Sequence, residues 1–177
     1  MTERRATERA VLAEGKYLRL VVEDGWEFVE RKSTTGIVVI VAVTEAQELL
    51  LVEQLRPPVR CRVIELPAGL AGDVAGQEGE ELAAAAQREL GEETGYEAEA
   101  FEALGGGPPS SGTTSEVVTF FRATGLRRTG RGGGDAHEDI EVHAVPVAGL
   151  RDWLRAREGD GRLVDPKVFA GLALAGL

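Results

Sequence analysis

The sequence predicts an α+β protein, and three observations carry that prediction. A continuous β-branched run, GIVVIVAVT (36–44), has the composition of a strand covered on both faces. One charged helical stretch, EGEELAAAAQRELGEETG (78–95), stands mid-chain with strand-like segments before and after it. Two further helical stretches close the chain.

Residues 8–31 alternate polar and apolar and read as a hairpin. Its limbs are VLAEGKYLRLVV and WEFVERK, joined at EDG. After the 36–44 run and a short polar turn, ELLLVEQLR (48–56) is a second strand. CRVIELPAG (61–69) is a third, which Pro67 and Gly69 should stop. In the helix over 78–95, acidic residues occupy the first turn and Gly95 is the stop. EAEAFEAL and EVVTFFRAT (116–124) are strands separated by GGGPPSSGTTS. LRRTGRGGGDAHED (126–139) is a glycine-rich loop that lacks the Lys-Ser/Thr ending of a phosphate loop, and it reads as a mobile lid. IEVHAVPV (140–147) alternates as a strand. VAGLRDWLRARE and PKVFAGLALAGL are helices, the second starting at Asp165-Pro166.

A chain of 177 residues with 43% hydrophobic residues suits one compact domain with a small extension. A net charge of -10 makes duplex DNA and anionic membranes poor partners. An anionic small substrate then needs local arginines or bound cations. The single cysteine, Cys61, allows no internal disulfide and no cysteine-rich zinc site, and it reads as a packing residue in a cytoplasmic protein. No window approaches the roughly twenty apolar residues of a spanning helix, and the N-terminus lacks a signal-peptide pattern.

On a helical wheel, Leu82, Ala86, Glu89 and Glu93 form one stripe, apolar in its first half and carboxylate in its second. Glu92 lies on its edge, while Glu80, Glu81 and Arg88 sit away from its centre, and Glu80 and Glu81 read as a solvated face. Two carboxylates on a core-facing line are costly unless neutralised. A hard divalent cation does this well, and oxygen donors favour magnesium or manganese. Pairing of Arg88 with a neighbouring acid is the structural alternative.

Glu80 followed at the right interval by RELGEETGY (88–96) resembles the Nudix box, G-x5-E-x7-R-E-U-x-E-E-x-G-U, of the Nudix hydrolases. Glu80, Arg88, Glu89, Leu90, Glu92, Glu93, Gly95 and Tyr96 match it. The leading glycine does not, since Val74 stands six positions before Glu80, and its equivalent is Gly69, eleven before, behind a loop five residues longer. VEQLRPPVRCRVIELPAGL, WEFVERK and HEDIEVHAVPV are similar to segments of ADP-ribose and other nucleoside-diphosphate-sugar pyrophosphatases of that family.

The resemblance implies an α/β/α sandwich with a mixed sheet. It divides the chain into residues 1–35, an N-terminal strand extension for dimerisation and base contact, and 36–177, the hydrolase domain. It implies a homodimer with exchanged N-terminal strands and magnesium, or manganese, as cofactor. Glu89 and Glu93 would be the principal metal ligands, assisted by Glu92, the Ala68 carbonyl and Glu138. Trp26 would stack on the substrate base, Arg31 and Arg56 would bind the diphosphate or terminal sugar, and Glu65 would support the site. The implied reaction converts ADP-ribose to AMP and ribose 5-phosphate. GDP-mannose, a dinucleotide or flavin adenine dinucleotide are alternatives, as is a nucleotide sensor without turnover.

Two further positions depart from the pattern of the relatives. Relatives carry a candidate base glutamate where this chain has Ala136, so the base falls to His137 or a box glutamate, Glu92 or Glu93. ADP-ribose-specific relatives carry a proline where counting gives Ser111, with Pro108 and Pro109 just before it. His143, on a strand, reads as structural.

Overall fold

The computed structural model describes residues 8–74, 76, 78–134 and 139–177. The N-terminal segment forms a three-stranded antiparallel sheet, β1 (Arg9–Glu14), β2 (Leu18–Glu23) and β3 (Trp26–Arg31). The sequence predicted a two-limbed hairpin here. The first limb is broken because Gly15 turns the chain, its N–H donating to the Leu18 carbonyl at 2.8 Å. β3 docks in its own chain, with Val29 N–H donating to the Thr113 carbonyl and Ser115 N–H to the Val29 carbonyl at 2.8 and 3.1 Å.

The β-branched run becomes β4 (Gly36–Ala42), with Val38, Val39, Ile40, Val41 and Ala42 all buried. β5 (Glu48–Arg56) follows the predicted short turn but enters a different sheet. β6 (Cys61–Glu65) ends before Pro67. The sequence placed Gly69 as a strand stop, but Gly69 lies inside a separate strand, β7 (Ala68–Ala71). The chain continues through α1 (Leu82–Thr94), β8 (Tyr96–Glu97), β9 (Ala100–Gly107), β10 (Val118–Thr124), β11 (Arg127–Arg128), β12 (Glu141–Pro146), α2 (Leu150–Gly159), β13 (Leu163–Val164) and α3 (Pro166–Ala175).

Two four-stranded sheets form the body, in the orders β7-β4-β10-β9 and β12-β5-β6-β13. Both are mixed, since β4 and β10 pair in parallel, as do β6 and β13. α1 packs its Ala85, Ala86 and Leu90 against Val38, Ile40, Ala42, Ala71 and Phe121. A second cluster joins Val39, Val41, Leu49, Leu51 and Ile64 to Leu150 and Leu154 of α2 and Val168 of α3. Helices thus lie on both sides of the strands, the expected layering.

α1 starts four residues later than the sequence suggested, and its first turn holds no acidic residue. Its end is as expected, with Gly95 in the left-handed region at φ 74°. Residues 129–134 of the glycine-rich stretch fasten this end, so this described part is not the mobile lid expected. Thr129 and Gly130 N–H donate to the Gly95 carbonyl, Gly133 N–H to Glu93 and Gly134 N–H to Glu92. These bonds satisfy carbonyls that the last helical turn leaves open.

Candidate active site

β7 and α1 face each other, and their contact fixes the box acids. A Cβ on Gly69 would lie 1.9 Å from the Glu89 carboxyl carbon, so only glycine leaves room for that side chain. This close approach supports Gly69 as the counterpart of the box glycine. Glu93 is 4% exposed and its Oε2 accepts from the Ala68 N–H at 3.0 Å. Glu92 lies at the rim with its side chain 53% exposed.

Arg88 ties these acids together. Its guanidinium donates to Glu89 at 2.8 Å, Glu92 at 3.1 Å, both oxygens of Glu80, and the Leu70 carbonyl on β7. The pairing alternative for Arg88 is therefore realised. Glu80 is not on a solvated face: its side chain is 5% exposed, and it also accepts from Gly72 N–H. The Arg88 hydrogen bond holds the Glu80 carboxyl below the ordinary range. Glu89 behaves oppositely, because burial pushes it up to about 7 while Arg88 only partly offsets this.

Glu89 and Glu93 line a cleft of about 480 Å³ together with Arg31, Arg56, Glu65, Ala68 and Gly69. These predicted residues are thus brought to one place. Arg56 Nε donates to Glu65 at 2.7 Å, and Arg31 Nε donates to Glu116 at 2.8 Å. Pro109 lines the same cleft, close in sequence to the expected proline position. Trp26 is 70% exposed on β3 and does not line the cleft of its own chain. Glu138 and His137, with Ala136, lie outside the described residues.

Sequence reasoning missed Gln54, Glu116 and Lys167, which also line the cleft. Gln54 had a signal, since it shares a strand face with Arg56. Lys167 and Glu116 had none, because they reach the cleft only through tertiary packing.

A second cluster, Glu53, Glu141 and His143, has ligand atoms within 4.8 Å of one another and could by spacing hold a metal ion. Yet Glu53 Oε1 is already bound by Arg62 at 2.7 Å and Arg162 at 3.3 Å. Two guanidiniums there oppose a cation. The box side fits one better: its donors are carboxylate oxygens, Glu89 is desolvated without full compensation, and Gly69 leaves the room in which the Glu89 carboxylate sits. Among the described residues no helix is long and apolar enough to cross a membrane.

Comparison with known proteins agrees with this geometry. A solved structure titled an ADP compounds hydrolase shares the fold, with TM-score 0.66 and 20% identity over 88% of this chain and 86% of that one. A methanol dehydrogenase activator of Bacillus methanolicus is 35% identical over 75% of this chain and 67% of its own length. An ADP-ribose pyrophosphatase of Mycobacterium tuberculosis is 34% identical over 80% of this chain, which spans only 63% of that relative's length. The NUDIX domain family profile matches residues 34–165, the span that holds β7, α1 and the cleft acids, and the chain belongs to that family.

Proposed function

We propose that the chain is a metal-dependent pyrophosphatase that hydrolyses the diphosphate of a nucleoside-diphosphate sugar, ADP-ribose giving AMP and ribose 5-phosphate. The observation that carries the reading is one cleft lined by Glu89 and Glu93 of α1 together with Arg31 of β3 and Arg56 of β5, with Glu93 buried and Glu89 desolvated. That arrangement suits a polyanion that must be neutralised from both sides. The name of the Mycobacterium tuberculosis relative favours ADP-ribose as the substrate.

Glu89 and Glu93, with Glu92, the Ala68 carbonyl and Glu138, would hold magnesium or manganese. Bound there, the ion supplies charge neutralisation and acidifies water. Arg56, steadied by Glu65, and Arg31, steadied by Glu116, orient the diphosphate. Positioning of this kind dominates phosphoryl transfer. Water's oxygen bonds to phosphorus and the bridging P–O bond breaks. The water's proton passes to a carboxylate, Glu92, Glu93 or Glu138, or to His137.

In this reading residues 1–35 are the extension and 36–177 the catalytic domain. Trp26 lies away from its own cleft, so its contact with the substrate base would be made across a homodimer. Exposed Val11 and Leu12 on β1, Leu18 on β2 and Tyr17 in the turn between these strands support such a contact. Light scattering at assay concentration tests it, and a monomer would remove that part.

The deciding experiment is hydrolysis of ADP-ribose, GDP-mannose, a dinucleotide and flavin adenine dinucleotide, with and without magnesium, beside Glu93→Gln. Metal-dependent turnover of ADP-ribose, lost in the variant, is expected. Nucleotide binding without turnover of any of them would instead establish a sensor.

A further inference from the structure

Gln54 is a buried polar side chain of the cleft. It sits on β5 two residues before Arg56 and shares that residue's face of the sheet. It is 7% exposed, it lines the cleft, and among the described residues its side-chain amide has no hydrogen-bond partner. An amide buried to that degree is costly unless water or a ligand in the cleft satisfies it. It offers two donors and one acceptor, a set suited to hydroxyl groups.

Lys167 reaches the same cleft from the far end of the chain. Parallel pairing sets Val164 of β13 beside Ile64 of β6, and Asp165 N–H donates to the Ile64 carbonyl at 2.9 Å. Asp165 therefore follows the end of this pairing, and α3 starts directly after it, which brings Lys167 into the lining of the cleft. One oxygen of Asp165 caps α3 by accepting from Lys167 N–H at 2.7 Å, and the other holds the Lys167 ammonium. This pair spans two residues on a partly exposed surface and adds little stability. It occupies one of the three ammonium donors.

We propose that Gln54 and Lys167 form the subsite for the phosphorylated sugar half of the substrate, Gln54 bonding a sugar hydroxyl and Lys167 a phosphate oxygen. The proposal rests on the pyrophosphatase reading. The base contact is assigned to Trp26, which does not line this cleft, and the diphosphate to Arg31 and Arg56. Gln54 and Lys167, polar groups of the same lining, are left the half that carries no base. Gln54 and Lys167 are then specificity residues rather than groups that act on the reacting atoms.

The test is calorimetric binding of ribose 5-phosphate and of AMP to the whole chain, its Gln54→Leu variant and its Lys167→Met variant. Each variant is expected to weaken ribose 5-phosphate roughly tenfold and to leave AMP within about twofold. Unchanged ribose 5-phosphate affinity in the variants overturns the subsite. So does an equal loss for both ligands, or no ribose 5-phosphate binding by the unaltered chain. Melting temperatures are read alongside. If Gln54→Leu fails to fold, Lys167→Met decides, since its side chain is 28% exposed and tolerates change. Hydrolysis of ADP-ribose is measured separately, so a chain that binds but does not turn over condemns the enzyme reading and leaves the subsite judged on binding.

Discussion

Glu53, buried on β5, and Glu89, half-buried on α1, both lie beside arginine, and they behave in opposite ways. Burial also pushes Glu53 up, but Arg62, His143 and Arg162 together outweigh it and hold the carboxyl below the ordinary range. Among the described residues Glu89 has Arg88 alone, and that guanidinium is divided among Glu80, Glu89 and Glu92. Its carboxyl stays near 7. The Glu53 cluster is complete as it stands. Glu89 lines an open cleft, and among the described residues Arg88 only partly offsets its burial. Burial of an acid is thus a weak clue to function, whereas burial without compensation is a strong one.

The sharpest way to break this contrast is Glu93→Gln. The amide keeps an acceptor for Ala68 N–H, so the fold should survive. Loss of one ligand charge should lower turnover about a thousandfold, or roughly 4 kcal/mol of transition-state stabilisation. Turnover within about threefold of the parent, at an unchanged melting temperature, would remove the metal assignment.

Glu53→Ala should do the reverse. It strips the carboxylate from between Arg62, Arg162 and His143, and the expected cost is about 3 kcal/mol of stability. In a chain of this size that is a fall of about 6–12 °C in melting temperature. Turnover per folded molecule and its metal dependence should be kept. A large loss of turnover at low temperature would place Glu53 in the site and dissolve the comparison.

The stripe of Glu89 and Glu93 was legible because a wheel needs only one helix, and the box spacing added the family. Glu80 was misread because its partners, Arg88 and Gly72, are set by how the loop after β7 folds back. Gln54 and Lys167 are more than a hundred positions apart, and no local pattern joins them. The glycine-rich stretch read as a lid because its composition is permissive. Its amides in fact cap α1, a role that depends on where the helix end lies in space. Strands were legible from alternation and β-branching, but not their distribution, since β4 and β5 are neighbours in sequence and members of different sheets.

Titration offers a gentler test. The Glu89 carboxyl rises from 4.5 to about 7 on folding. The folded chain then holds more protons than the unfolded chain between those values, so metal-free stability should fall as pH rises from 4.5 toward 7 and level off above. The shift corresponds to about 3 kcal/mol at most. Magnesium binds the carboxylate form, so its stabilising effect should grow over the same window. Melting curves with chelator and with magnesium at several pH values read both. A magnesium effect that is flat with pH would mean Glu89 is not the group that the ion relieves.

The smallest expected effect belongs to His143→Asn. The imidazole Nε2 lies 3.1 Å from Glu53 Oε2 and the ring meets Trp153 edge-on at 5.0 Å between centroids. Arg62 and Arg162 would still neutralise Glu53, so only one hydrogen bond and some ring packing are lost. The expected cost is about 1 kcal/mol, with turnover and the magnesium-induced rise in melting temperature unchanged. This variant bears directly on the second possible ion site, because His143 supplies its only nitrogen ligand. Were that trio the seat of the metal, the substitution would erase the magnesium-induced rise while Glu93→Gln left it intact. The opposite pattern is expected, because two arginines already occupy the charge that an ion would need.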